Sequence, residues 1–161
     1  MALNAYLKVE GESQGSIDGS STRAGHENEI EIYGWSHEII SPRDAASGLP
    51  TGRRQHKPIT LTKPIDKATP LLAGAHVNNE TLTSVVLRAY EPNAAGVEEQ
   101  YYTIELINAS IVGIRAEMLN NKYPENQTHE TREHVSLVYQ RIVWTHETSG
   151  ASSTDDWEAE R

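Results

Sequence analysis

The sequence contains no cysteine and no phenylalanine. Without cysteine, disulfide frameworks and thiolate metal sites are excluded. Positive charge is also scarce: 14 Lys and Arg stand against 23 Asp and Glu, for a formal charge of −9. So acidic a chain repels phosphate, which argues against nucleic acid as a partner and against anionic membrane surfaces. No stretch approaches the roughly 20 apolar residues of a membrane-spanning helix. The opening residues MALNAYLK have no basic start and no apolar run, so no secretory signal is expected. On that reading the chain is made as a soluble cytoplasmic protein, and any export uses another route. Glycosylation-like triplets start at Asn79, Asn108 and Asn126; without a signal they read as chance matches.

What is present fits one domain. The chain has 161 residues, enough for a real core. Its hydrophobic share of 37% suits a barrel or sandwich with one wet face, or a subunit covered by neighbours. Strand signals dominate. Leu3, Ala5, Leu7 and Val9 alternate with Asn4, Tyr6, Lys8 and Glu10, the period of a half-buried strand. In the run Glu29 to Ile39, Ile30 and Ile32 share one face while Tyr33, Trp35, His37 and Ile39 share the other. The switch falls beside Gly34, where a bulge or bend is expected. Further runs are Ile59 to Leu61, Ser84 to Tyr90, Glu99 to Ile107 and Ile111 to Glu117, the last two separated by a tight turn at Asn108-Ala109. Glu133 to Glu147 reads as the longest strand. It is apolar on both faces and so expected to be covered twice.

One segment reads as a helix, Asp66 to Asn78, with Leu71, Leu72, Ala75 and His76 on one side. Asp66 is its expected N-cap, and Pro70 falls in the first turn, where its missing N–H costs little. Many strands and one short helix predict a mainly β protein, a barrel or sandwich. Two segments fit no element. Residues 41–57, SPRDAASGLPTGRRQHK, are long for a loop in a compact domain; the second is a tail, 148–161, after a domain of 1–147.

The loop holds Arg43, Arg53, Arg54 and Lys57 against Asp44, a formal +3, which leaves −12 on the rest of the chain. Two readings are open. It is a solvated loop, or a basic arm that docks on the acidic surface of another copy, where opposite patches set register.

Catalytic patterns fail on context. Gly11 to Gly15 matches G-x-S-x-G, but no helix follows Ser13, so a hairpin turn is expected there. His129 and His134 are five apart, not the four of a zinc-binding helix. Glu29 with Glu31, and Glu10 with Glu12, each share a strand face; such pairs read as solvated surface rather than a glycosidase pair. There is no G-x-x-x-x-G-K-[ST] and no G-x-G-x-x-G, and the aromatics do not cluster beside basic residues as a base-stacking platform requires. No cofactor, metal or catalytic residue is expected. The residues alone leave open an assembly subunit or a monomeric or dimeric lectin-like β-module that binds a small ligand.

Several stretches together resemble one family. They are MALNAYLK at the start, Gly11 to Gly15, Ser36 to Asp44, Gly48 to Gly52, His56 to Lys63, Asp66 to Leu72, Glu99 to Leu106 and the closing Asp155 to Glu158. In this order and spacing they resemble the haemolysin-coregulated protein (Hcp) family across nearly the whole chain. The resemblance implies a β-barrel built from two sheets, one flanking α-helix and a long extended loop. It implies hexameric rings that stack into the inner tube of a type VI secretion system. A contractile sheath expels that tube behind a VgrG-like spike, with small effectors carried in the lumen and no signal peptide. The loop is then the family's arm, which contacts adjacent subunits and stacked rings. Ser41, Pro42, Arg43, Asp44, Leu49, Pro50, Gly52 and Lys57 match the family pattern. Arg53, Arg54 and His56 join them on charge and position, and Trp157 as an anchor of the tail. Gln127 to Arg132 departs from the family in polarity and is expected to be an exposed loop.

Overall fold

The computed structural model describes residues 3–157. Met1, Ala2 and Glu158, which belong to the family-like stretches, lie outside the described residues, as does the rest of 158–161. The alternation of the first run builds β1, Asn4–Gly11, with Leu7 and Val9 buried and Lys8 and Glu10 exposed. Leu3 stays outside, and Tyr6 is buried on the opposite face. A tight turn with Gly15 at φ 71° leads into β2, Gly15–Ile17.

The phase switch near Gly34 is a corner between two sheets. β3, Ile30–Ile32, pairs with β1, and β4, Gly34–Ser36, pairs with β7, Ile59–Pro64. Tyr33 stands between them, its N–H on Thr62 O at 2.7 Å. The arm leaves through β5, Ile39–Ile40, and returns through β6, Gln55–His56.

The helix α1 runs Ala68–Val77, inside the expected 66–78. Lys67 before it already has helical dihedrals, so capping falls to Asp66. The Asp66 carboxylate accepts the Ala68 N–H at 3.0 Å, and Thr69 Oγ1 accepts the Asp66 N–H at 3.0 Å. This reciprocal pair is a capping box with Thr in the usual Glu place. The buried side is Ala68, Leu72 and Ala75; Leu71, expected on it, faces outward.

Two expectations about strand breaks are corrected. β8 is Leu82–Pro92, and after it Glu98–Glu117 form one 20-residue strand, β9, with no turn at Asn108-Ala109. Asn108 takes φ 52°, a left-handed conformation that asparagine tolerates, and the strand bends there without ending. Before the bend β9 pairs with β8 and β11, Arg141–His146; beyond it β9 pairs with β10, Arg132–Val138. The run 133–147 is therefore two strands, broken at Tyr139-Gln140, and the break explains its two apolar faces. Val135, Leu137 and Tyr139 point into the core before it and Ile142 after it. The segment assigned to a tail contains a further strand, β12, Ala151–Asp156, antiparallel to β11. Its polar sequence, ASSTDD, hides the strand because neither face is apolar.

The strand order is β2-β1-β8-β9-β10-β7-β4, with β11 and β12 branching from β9. Because β3 and β4 bind β1 and β7 from one bent segment, the sheet returns to its start. Two sheets thus enclose one core, with α1 on the flank. The core holds a buried charge cluster. Lys63 Nζ lies 2.5 Å from Glu133 Oε1 and 2.9 Å from Asp66 Oδ1, tying β7, β10 and the start of α1 together.

Candidate functional site

The arm is a narrow hairpin. Its base is the two-residue ladder Ile39↔His56 and Ile40↔Gln55, extended by Lys57 N–H on Glu38 O at 3.0 Å. Farther out, Arg43 bridges Pro50, and the Thr51 N–H reaches Pro42 O at 3.0 Å. The tip closes on Asp44. Its carboxylate accepts the Ser47 hydroxyl at 2.6 Å and the Ser47 N–H at 2.8 Å, while Gly48 turns at φ 72°. Those hydrogen bonds hold the Asp44 carboxyl below its ordinary range. Ser41, Arg43, Asp44, Leu49, Pro50, Gly52 and Lys57 are exposed, and Pro42 is partly covered. Leu49 presents an apolar side chain at the tip, 64% exposed.

The remaining sequence-predicted residues converge at the base, against the end of β12. Arg54 grips Asp155 with two donors, Nε at 2.5 Å and Nη2 at 2.9 Å, and reaches Asp156 O at 2.8 Å. Such forked pairs fix orientation as well as charge. Arg53 Nη2 donates to Trp157 O at 3.4 Å, and the Trp157 ring lies 5.2 Å from the His56 ring. His56 is buried, with Nε2 2.6 Å from Asp155 Oδ2 and Nδ1 2.6 Å from the Tyr139 hydroxyl. His37 Nε2 meets the same hydroxyl at 2.7 Å.

Donor counting orders this chain. A carboxylate only accepts, so the His56 proton sits on Nε2. In the neutral ring Nδ1 then accepts from Tyr139, whose single proton is spent there, and His37 Nε2–H must donate to Tyr139. The sequence runs His37 to Tyr139 to His56 to Asp155, with Arg54 on the far side. The electrostatics agree with this order. The hydrogen bond from Arg54 holds the Asp155 carboxyl below its usual range, with His56 assisting. Burial, then the neighbouring His56, lowers His37. Burial, then the Asp155 carboxylate, pushes the Tyr139 hydroxyl well above its usual value. The chain of contacts joins the root of the arm, Tyr139 and the end of β12 into one hydrogen-bonded unit.

The site therefore divides the sequence-predicted residues. Arg53, Arg54, His56 and Trp157 meet at the base, while Ser41 to Gly52 project beyond it and Lys57 follows on the barrel side. Three participants escaped the sequence reading of the site: His37, Tyr139 and Asp155. The available signal was charge, because Asp155-Asp156 is an acidic pair within a chain whose basic excess is the arm.

Elsewhere the rejected motifs fall as surface or support. The Ser13 and Gln14 N–H groups bind the Glu80 carboxylate at 3.1 and 3.0 Å. His134 contacts Thr62 and Glu117. Residues 127–131 are an exposed loop. Among the described residues no cluster of His, Asp and Glu is arranged to hold a metal. Among the described residues no helix is long and apolar enough to cross a membrane. Glu29 corrects the expectation of solvated pairs. It is buried, with Oε2 3.4 Å from Nδ1 of His26, whose ring stacks on Tyr6 at 4.0 Å.

The family model "Type VI secretion system effector, Hcp" matches residues 6–146. A Pseudomonas aeruginosa protein named "Major exported protein" is 43% identical, the match covering 98% of this chain and 96% of that protein. The crystal structure of an Hcp protein superposes with a TM-score of 0.93 at 34% identity, covering 99% of this chain and 100% of that one. The secreted protein Hcp3 from Pseudomonas aeruginosa gives a TM-score of 0.80 at 36% identity, covering 98% and 100%.

Proposed function

The chain belongs to the Hcp family and is, with that family, a secreted structural tube protein of type VI secretion and not an enzyme; we propose that its copies close into hexameric rings that stack into the inner tube. Contraction of a surrounding sheath expels the stack behind a VgrG-like spike, with small effectors in the lumen. Assembly takes place in the cytoplasm before export. The contacts between copies run through the arm, with Ser41, Pro42, Arg43, Asp44, Leu49, Pro50 and Gly52 on the projecting part and Lys57 beside its root.

The observation that carries this reading is the arm itself. It is exposed from Arg43 to Arg53, internally hydrogen-bonded from Pro42 to Thr51, and tied at its root to the barrel. An ordered hairpin with an exposed apolar tip gains from burial that a monomer does not supply, since each fully buried Leu-sized side chain contributes about 1.5–3 kcal/mol. A flexible loop would lose most of that gain in ordering.

Native mass spectrometry of the purified chain tests the reading. A species of six times the 17.9 kDa chain mass supports it. A monomer at every concentration up to the millimolar range contradicts it and returns the ligand-binding β-module as the better account.

A further inference from the structure

The arm and the C-terminal strand are far apart in sequence and joined in space. Asp155 is 101 residues from Arg54 and 99 from His56, and it touches both. Beyond the base, the arm's backbone hydrogen bonds close on the arm itself: Thr51 to Pro42, Asp44 to Leu49, Gly48 to Asp44. The direction in which the hairpin leaves the barrel is therefore set at its root. Three things act there: the two-pair ladder of β5 and β6, the His37–Tyr139–His56 chain, and the end of β12.

Of these, β12 is the element easiest to open. Residues 151–154 are exposed, and β12 pairs with β11 alone among the described strands. Polar edge segments with little buried apolar surface open at a small fraction of the global unfolding free energy. Opening β12 removes the Asp155 carboxylate from Arg54 and His56 together, and with it the Asp156 and Trp157 carbonyls that accept from Arg54 and Arg53.

We infer that Asp155 is a positioning residue for assembly, and that the end of β12 is a latch whose seating holds the arm in the one pose that can engage another copy. This rests on the reading that the arm makes the contacts between copies. On this account the C-terminal strand governs assembly without itself touching a neighbour, and an opened latch gives a folded, assembly-deficient subunit.

The absence of cysteine makes the test clean, because introduced thiols are the only ones in the chain. Spin labels at Ala46→Cys, on the arm, and Lys8→Cys, on the barrel, report the arm's pose as a distance distribution. Labelled chains are diluted into unlabelled ones so that each pair is read within one subunit. The expected result is a narrow distribution in the parent, broadened by Asp155→Ala and by Arg54→Gln. The double variant should be no broader than either, since the two residues act through one contact, and Asp155→Glu should recover most of the sharpness. Assembly of Asp155→Ala should need about ten-fold more protein, while the chain stays folded.

A narrow distribution in folded Asp155→Ala and Arg54→Gln would overturn the latch. A broadened arm with unchanged assembly would overturn its link to assembly. Parent chains that never assemble would sink the assembly reading itself, while the distances would still decide whether the latch exists. Arg54→Gln lies outside the core and serves if Asp155→Ala does not fold.

Discussion

Lys63 Nζ sits 2.5 Å from Glu133 Oε1, and neither side chain has more than 1% of its surface exposed. Asp66 lies on the same ammonium at 2.9 Å, so one buried cation serves two carboxylates. Removing it leaves both without their counter-charge. Lys63→Met should therefore cost about 3–5 kcal/mol, the usual result of breaking a buried pair from one side. The exposed Lys8→Met should stay within about 0.5 kcal/mol of the parent. Chemical denaturation of the two variants checks the contrast; equal stabilities would show that the cluster is dispensable.

Asn108 should be intolerant of a branched side chain. It holds φ 52° where β9 passes from one sheet to the other, and its side chain donates to Gln140 Oε1 at 3.0 Å. A left-handed backbone costs a non-glycine residue about 1–2 kcal/mol, and asparagine offsets it by local hydrogen bonding. Asn108→Val should lower the melting temperature by several degrees, and Asn108→Gly should lower it far less. Thermal unfolding of both variants separates backbone strain from loss of the Gln140 contact.

Acid should weaken the base of the arm, and the sign follows from two groups. Burial and His56 lower His37 below its ordinary value of 6.5, so the unfolded imidazole takes a proton first. Its contribution is fully present above the unfolded value and is lost as the pH falls from there toward the folded one. Asp155 is also lowered, from 3.8, and its contribution fades only in stronger acid. The urea midpoint should then fall between about pH 7.5 and about pH 5.5, and His37→Gln should flatten that fall. An unchanged slope in His37→Gln would place the titration elsewhere.

Salt and the arm tip should have separable effects on assembly. Arg54 is committed within its own subunit, and Arg43 leans on Gly48 O at 3.5 Å. The projecting part of the arm, residues 41–52, holds only Arg43 and Asp44 and so has no formal net charge; the loop's +3 sits at its base, in Arg53, Arg54 and Lys57. Raising salt beyond 0.1 M, where the screening length is about 10 Å, should weaken assembly modestly. Leu49→Ala should weaken it by about ten-fold or more, from loss of an apolar contact worth about 1.5–3 kcal/mol. Sedimentation across a salt series, for parent and variant, measures both.

The sheet architecture was legible where polarity alternates, as in β1, or where the alternation changes phase, as at Tyr33. The helix showed through Asp66 and Pro70. What stayed hidden has specific causes. An asparagine reads as a turn residue, and nothing in the sequence says that Asn108 bends a continuous strand. The run 133–147 looked uniform because the break at Tyr139-Gln140 exchanges one inward face for the other. β12 is polar on both faces, so periodicity could not detect it, and with it went Asp155. The arm's basic residues were found by charge, but charge alone could not tell that Arg54 is answered within its own chain. The family resemblance supplied the partners and the ring, which no periodicity contains.

Direct imaging of the purified protein by electron microscopy tests the central claim most sharply. Hollow rings with six-fold symmetry, lost in a Leu49→Asp variant that still folds, are the predicted result. A field of compact single particles from the parent chain, at concentrations where its fold is intact, would contradict it.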